Sequence, residues 1–286
     1  MRVLLAKIFR LLFKVSFFKK RFFGIHKRIF GPLNLFKGVI ETVRFNNDII
    51  LELDIGDWIQ ENIYFLGGYE DAELQFIQSS LKEDNIFIDI GANIGVHSLF
   101  ASKLVGKNGK VISFEPFRQN YNALNKNIAL NGSTNVVTEN LALFKTETIL
   151  DIYYNTNEAN LGMASSYLTE FSCVEKIKAV ALDSYLKTIP QQKVDFIKID
   201  IEGGEYDALL GMKSTLMSFY PKLLIEILDH NELTESGNKK NIVGYLENMG
   251  YTKYYINDDG ELSITETNKD RMNFAFVKEV VNNLSQ

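Results

Sequence analysis

The sequence predicts an α/β fold: a mostly parallel sheet covered by helices on both faces, preceded by a basic amphipathic helix. Three observations carry this. Short apolar runs at 86–90, 111–114, 136–143, 194–199 and 223–228 are bounded by polar residues or glycine. Helical patterns lie between or before several of them, at 69–81, 94–105, 117–130 and 204–218, and strand–helix alternation of this kind calls for parallel strands buried on both sides. The first 40 residues differ in composition from everything after them.

That difference is one of charge and aromaticity. Ten of the 31 Lys/Arg and eight of the 21 Phe lie in residues 1–40, which hold no Asp or Glu. The remainder carries 21 basic against 36 acidic side chains, so it repels nucleic-acid phosphates and no nucleic acid is expected as a partner. Within residues 1–23, Leu4, Ile8, Leu11, Val15, Phe18 and Phe22 recur at helical steps, with Lys7, Arg10, Lys14 and Arg21 on the neighbouring face. Charges interrupt every apolar run before it reaches the length of a bilayer or of a signal segment. Two readings stand: a helix lying at an anionic membrane surface through residues 1–30, or one docked on the body with its basic face in solvent. Gly31 and Pro32 end it. The expected division is 1–40 as this segment and 41–286 as the main domain, with 41–84 a cap and 85–286 the α/β core.

Two β-type stretches in 38–55 flank a turn at 46–48, and 250–257 and 273–278 offer two strands able to pair antiparallel at an edge. The polar, turn-rich segments 155–175 and 229–241 do not fit as buried elements; the first is read as a substrate loop. One cysteine, Cys173, excludes an internal disulfide or a cysteine-based zinc cluster and shows no activating partner. Three histidines leave little for a histidine metal site, and His97 reads as a packed helix residue.

The chemistry concentrates in FIDIGANIG at 87–95. A buried strand runs into a glycine turn and then a helix, so Gly91 and Gly95 allow close approach of a ligand to the backbone. The G-x-x-x-G spacing, with Asp89 two residues ahead, is neither a dinucleotide fingerprint nor a P-loop. An acid at that turn suits a cationic amine. Glu115, at the tip of the next strand, can accept bonds from two ribose hydroxyls. Amine and ribose without pyrophosphate describe S-adenosylmethionine; a structural glycine turn with a capping acid is the plainer alternative.

FIDIGANIGVHS at 87–98, SFEP at 113–116 and IKIDIEGGE at 197–205 resemble, in order, the FkbM-type methyltransferases. The resemblance covers about residues 65–230. It implies a class I methyltransferase fold with a Rossmann-like sheet of strand order 3-2-1-4-5-7-6, and S-adenosylmethionine-dependent O-methylation, often of sugar or polyketide hydroxyls. Under it Asp89, Gly91, Ala92, Asn93 and Gly95 hold the methionine part and Glu115 the ribose. Asn140 and Ala142 fall where adenine is contacted, and Glu70 closes over the cofactor. The catalytic candidates are Asp200, Glu202, Glu226 and His230. One or more of them accepts the acceptor's proton, or they position cofactor and acceptor. Binding of Mg²⁺ by Asp200, Glu202 and Glu226 is not favoured, and no metal ligand is assigned.

The expected acceptor is a hydroxyl of a sugar or glycan intermediate, lipid-linked if the basic helix holds the chain peripherally at the cytoplasmic, inner face of a membrane. Two alternative functions remain: a NAD-dependent Rossmann oxidoreductase, disfavoured by the missing third glycine, and a membrane-docked module that binds S-adenosylmethionine without turnover.

Overall fold

A computed structural model describes residues 1–46, 48–154, 173–189, 193–227, 239–266 and 272–278. The chain opens with three short helices, α1 (Arg2–Leu12), α2 (Ser16–Lys19) and α3 (Phe22–Ile25), and a wider π-type turn, His26–Phe30. A hairpin follows, β1 (Ile40–Phe45) and β2 (Ile49–Asp54), then α4 (Trp58–Leu66) and α5 (Asp71–Ser80). The core alternates as the apolar runs predict: β3 (Ile86–Ile90), α6 (Val96–Val105), β4 (Lys110–Phe114), α7 (Arg118–Asn131) and β5 (Val136–Glu139). Three strands then form a small separate sheet, β6 (Ala142–Leu143), β7 (Thr148–Tyr154) and β8 (Cys173–Val180). The second half runs α8 (Leu182–Leu186), β9 (Phe196–Ile199), α9 (Glu205–Leu210), α10 (Lys213–Phe219), β10 (Lys222–Glu226), α11 (Lys239–Asn248), β11 (Thr252–Ile256), β12 (Leu262–Ser263) and β13 (Asn273–Val277).

The main sheet has the order β12-β11-β13-β10-β9-β3-β4-β5. Without the two-residue β12 this is 3-2-1-4-5-7-6, counting β3 as the first strand, β11 as the sixth and β13 as the seventh. β13 is antiparallel to both neighbours. It lies between β10 and β11, and its antiparallel pairing with β11 at this end of the sheet is the one the sequence predicts. Period two sorts the central strands between the two faces. Phe87, Val111 and Phe196 join one hydrophobic cluster, and Ile88, Ile112 and Ile197 the other.

The first cluster also contains Ala6, Phe13, Phe22, Phe30 and Phe36, so the N-terminal segment shares one core with the sheet. Phe13, Phe30 and Phe36 surround Phe65 of α4 with ring centroids 5.3–5.5 Å away, and Phe22 stacks on Trp58. His26 Nδ1 lies 2.9 Å from Glu61 Oε2 of the same helix. Burial raises Glu61 to about 8 and lowers His26, so the contact favours neutral partners. The docked arrangement is thus present, but with the helix rotated. Of the stripe chosen by periodicity, Leu4, Ile8, Leu11 and Val15 are exposed, whereas Phe18 packs against the core and Phe22 is buried in it; within the first turns Ala6 and Phe13, off that stripe, are the buried residues. Phenylalanines bury more area than the leucines they displace, which decides which side faces inward.

β2 is tied to α7 by side-chain amides. Asn131 accepts from Ile50 N–H and donates to the Ile50 carbonyl, and Asn127 accepts from Glu52 N–H. Asn127 also donates to the Ile94 carbonyl in the glycine turn. One buried asparagine therefore joins the hairpin to the loop that forms the site.

Candidate functional site at the carboxyl ends of the strands

Strand order reverses at β3, whose neighbours β4 and β9 lead the chain to opposite sides. A crevice forms at such a point, beyond the carboxyl ends of the strands. Here it is a cavity of about 1150 Å³, counting its open mouth.

The glycine turn forms its floor. Gly91 and Ala92 both donate to the Phe114 carbonyl at 3.0 Å, which folds the turn across the end of β4. Gly91 has φ +80°, and a Cβ there would collide with the Asp200 carbonyl. Gly95, at φ +93°, opens α6, and a Cβ would press on Leu124. These two positions require glycine.

Glu115 follows β4 and is buried. Its Oε2 accepts from Asn93 N–H at 2.8 Å and its Oε1 from Phe117 N–H at 2.9 Å. Burial dominates these bonds and pushes its carboxyl up to about 7. Around it, Phe117, Leu141, Leu143 and Ile152 line an apolar end of the cavity, and Asp200 and Glu202 an acidic one.

The acids after β9 are not equivalent. Lys198 Nζ lies 3.0 Å from Asp200 Oδ2 and 3.9 Å from Asp89 Oδ1. Register explains the second contact, because Asp89 and Lys198 are partners on adjacent parallel strands. Burial pushes Asp200 up, but Lys198 and then a hydrogen bond with Glu226 outweigh it and hold Asp200 low. Burial and the Asp200 charge push Glu226 up, so the pair shares one proton between an ionised Asp200 and a protonated Glu226. Burial, then Asp200 and Glu205, raise Glu202 to about 8. Glu202 also sits at φ +55°, a left-handed backbone that a non-glycine residue adopts at a cost. Glu205 accepts from Gly203 N–H and is raised by burial to about 7.

Gly91, Ala92, Asn93, Glu115, Ala142, Asp200 and Glu202 line the cavity, as the sequence expects. Five expected residues take other places. Gly95 lies outside the lining, where it opens α6 against Leu124. Asp89 is fully buried beneath the turn, accepting from Ser98 Oγ, so it supports the loop from below. Asn140 is outside the lining and spends its amide on the carbonyls of Glu115 and Pro116, fixing the loop that carries Glu115. Glu70 also lies outside the lining; its Oε2 is 3.1 Å from His97 Nε2, without hydrogen-bond alignment. Glu226 stands behind Asp200. His230 lies outside the described residues, as do 155–172 of the expected substrate loop and 228–238 of the second polar segment.

The sequence reading passes over Tyr69, Lys198, Leu150 and Ile152, all of which line the cavity. Burial, then Glu70 and Asp200, hold the Tyr69 phenol well above its ordinary range, so it stays a neutral donor. Leu150 and Ile152 come from β7, in a sheet the reading did not anticipate. Asp200, Glu202 and Glu226 bring carboxylate oxygens within 4.8 Å of one another, a set that could ligate a cation. Lys198 and the shared proton already satisfy Asp200, which weakens that use.

Three comparisons bear on this site. The chain is 22% identical over 205 residues to the methyltransferase sdnD of Sordaria araneosa, covering 60% of this chain and 76% of that protein. It is 26% identical over 153 residues to the hexuronic acid methyltransferase AglP of Haloferax volcanii, covering 54% of this chain and 60% of that one. Among solved structures, a methyltransferase FkbM from Methylobacillus flagellatus superposes with a TM-score of 0.44 at 16% identity, over 75% of this chain and 52% of that chain. The profile of the methyltransferase FkbM domain matches residues 89–253, from Asp89 at the glycine turn to β11. This match spans more than half of the sequence, and the chain belongs to the FkbM methyltransferase family.

Proposed function

We propose that the protein is an S-adenosylmethionine-dependent O-methyltransferase acting on a hydroxyl of a sugar or glycan intermediate. The observation that carries the cofactor reading is Glu115: a buried carboxylate with both oxygens oriented by backbone N–H groups, beside a glycine cradle. The donor set fits the molecule. The ionised Asp200 at one end suits an amino-acid cation and a sulfonium, Glu115 suits two ribose hydroxyls, and the apolar end suits adenine. A pyrophosphate would face Glu115, Asp200 and Glu202, which argues against NAD and an oxidoreductase. The bound cofactor supplies an electrophilic methyl group. The chain's own part is to align the acceptor oxygen and remove its proton. Similarity to AglP supports a sugar acid as the acceptor class.

Isothermal titration with S-adenosylhomocysteine tests the cofactor. Glu115 must be ionised for both oxygens to accept from the ligand, and its carboxyl stands at about 7. Affinity is therefore expected to fall about tenfold from pH 8 to pH 6 as the proton returns. Glu115→Gln should bind weakly at both pH values and lose most of this dependence. Tighter binding of NAD, or none of S-adenosylhomocysteine, would defeat the reading. Transfer of labelled methyl groups into glycan extracts, unchanged by EDTA, is the expected activity; cofactor binding with no transfer to any glycan would leave the binding-module reading in its place.

A further inference from the structure

We propose that the outer face of the N-terminal segment docks on an anionic lipid bilayer. Three observations carry this, independently of what the cavity binds. First, α1 has two apolar sides and uses one. Ala6 and Phe13 are buried, whereas Leu4, Ile8 and Leu11, on the opposite side at 3.6 residues per turn, are 65%, 46% and 64% exposed. A helix that is apolar on both sides normally has both covered. Second, Val15, Phe17 and Phe23 in the following short helices and their link are also more than half exposed. With Leu4, Ile8 and Leu11 they make six large apolar side chains exposed within 20 residues, which mark an interaction surface, unlike a single exposed leucine. Third, Lys14, Lys19 and Lys20 are exposed beside these residues, and no acid occurs before Glu41. Phenylalanine and leucine with lysine at the margin match an acyl–headgroup boundary bearing negative charge.

Charge also chooses among occupants. A second copy would bring ten more cations against the ten already here, which repels it. Among the described residues no helix is long and apolar enough to cross a membrane, so the contact is peripheral. α4 links this face to the cavity: the exposed Phe23 lies with its ring 5.5 Å from that of Trp58, and the neighbouring Ile59 lines the cavity wall.

Flotation of the full chain with vesicles tests the proposal. The protein should float with phosphatidylglycerol–phosphatidylcholine vesicles, less so as salt is added, and remain unbound with phosphatidylcholine alone. Leu4→Ser, Ile8→Ser and Leu11→Ser together should lower partitioning about a hundredfold, and Lys14→Glu with Lys20→Glu about tenfold. All five side chains are exposed, so melting temperature and S-adenosylhomocysteine affinity should not change in either variant. This separates failed docking from failed folding and from failure of the cofactor reading. Absence of flotation, equal flotation on both vesicle types, or flotation unaffected by the substitutions overturns the proposal. So does a vesicle-free dimer that the triple serine variant dissociates, because the face would then belong to a second copy.

Discussion

Glu202→Gln is expected to lower kcat by about 10²–10⁴-fold, the usual worth of a positioned proton acceptor, while leaving S-adenosylhomocysteine affinity within about twofold. The argument is a comparison between neighbours. Asp200 lines the same cavity and is ionised, but Lys198 and the Glu226 proton hold it low, which makes it a weak base. Glu226 carries the shared proton and stands behind Asp200. Glu202 lines the cavity and is raised to about 8 by burial and by the charges of Asp200 and Glu205, against a smaller lowering by Lys198. A base is most effective when its pKa is near the working pH. The turn that presents it is strained at φ +55° and is completed by Gly203 at φ +106°. The pH profile gives a second readout. In the unsubstituted enzyme kcat should rise with pH and level off above about 8, as Glu202 loses its proton. The glutamine variant should lack this limb. A variant that keeps both its rate and its limb would move the base elsewhere, with His230 the next residue to replace.

The fold and the floor of the site are legible in the sequence because their causes are local. A buried strand, a glycine where the backbone must turn with positive φ, and a helix behind it leave the same trace in any sequence. Gly91, Gly95 and Glu115 therefore stand where expected. What escapes depends on which way a side chain points after the chain has packed. Asp89 and Asn140 lie at the expected strand ends yet face the scaffold, where Asp89 accepts from Ser98 of α6 and Asn140 holds the loop that carries Glu115. Leu4, Ile8 and Leu11 form a true helical stripe, but Phe13 finds a better socket beside Phe65, and α1 turns over, while Phe22, further along the expected stripe, is buried on Trp58. Leu150 and Ile152 reach the cavity only because β7 pairs with β8 across an intervening stretch of sequence. Lys198 is different, since its signal is present. A lysine between isoleucines, in a strand buried on both faces, must meet a carboxylate, and period two puts it on the side of Asp200. Attention to acids alone passes over it.

Lys198→Met is accordingly expected to be the most damaging single change at the site. The ammonium is 4% exposed and lies between Asp200 and Asp89. Burial alone would lower its pKa, yet Asp200, Asp89 and Glu70 together raise it. Removing it leaves the fully buried Asp89, whose Oδ1 has no hydrogen-bond partner, without its countercharge. Stranding a buried charge in this way costs about 3–5 kcal/mol, or about 10 °C in melting temperature for a chain of this size. The sign of the pH dependence separates this cause from lost packing. In the unsubstituted protein Asp200 is held low, so its contribution is present above the ordinary carboxylate range and fades on acidification. Without Lys198, burial acts on Asp200 unopposed by that cation and its pKa rises. The folded variant then holds protons that the unfolded chain releases, and its deficit should widen from pH 5 to pH 8. Adding Asp89→Asn to Lys198→Met should recover part of the loss, because it removes the carboxylate that Lys198 faces. A deficit of the same size at both pH values, untouched by that second substitution, would reduce Lys198 to a space-filling role and remove the electrostatic account of why Asp200 is ionised, and with it the ground for expecting Glu202 as the base.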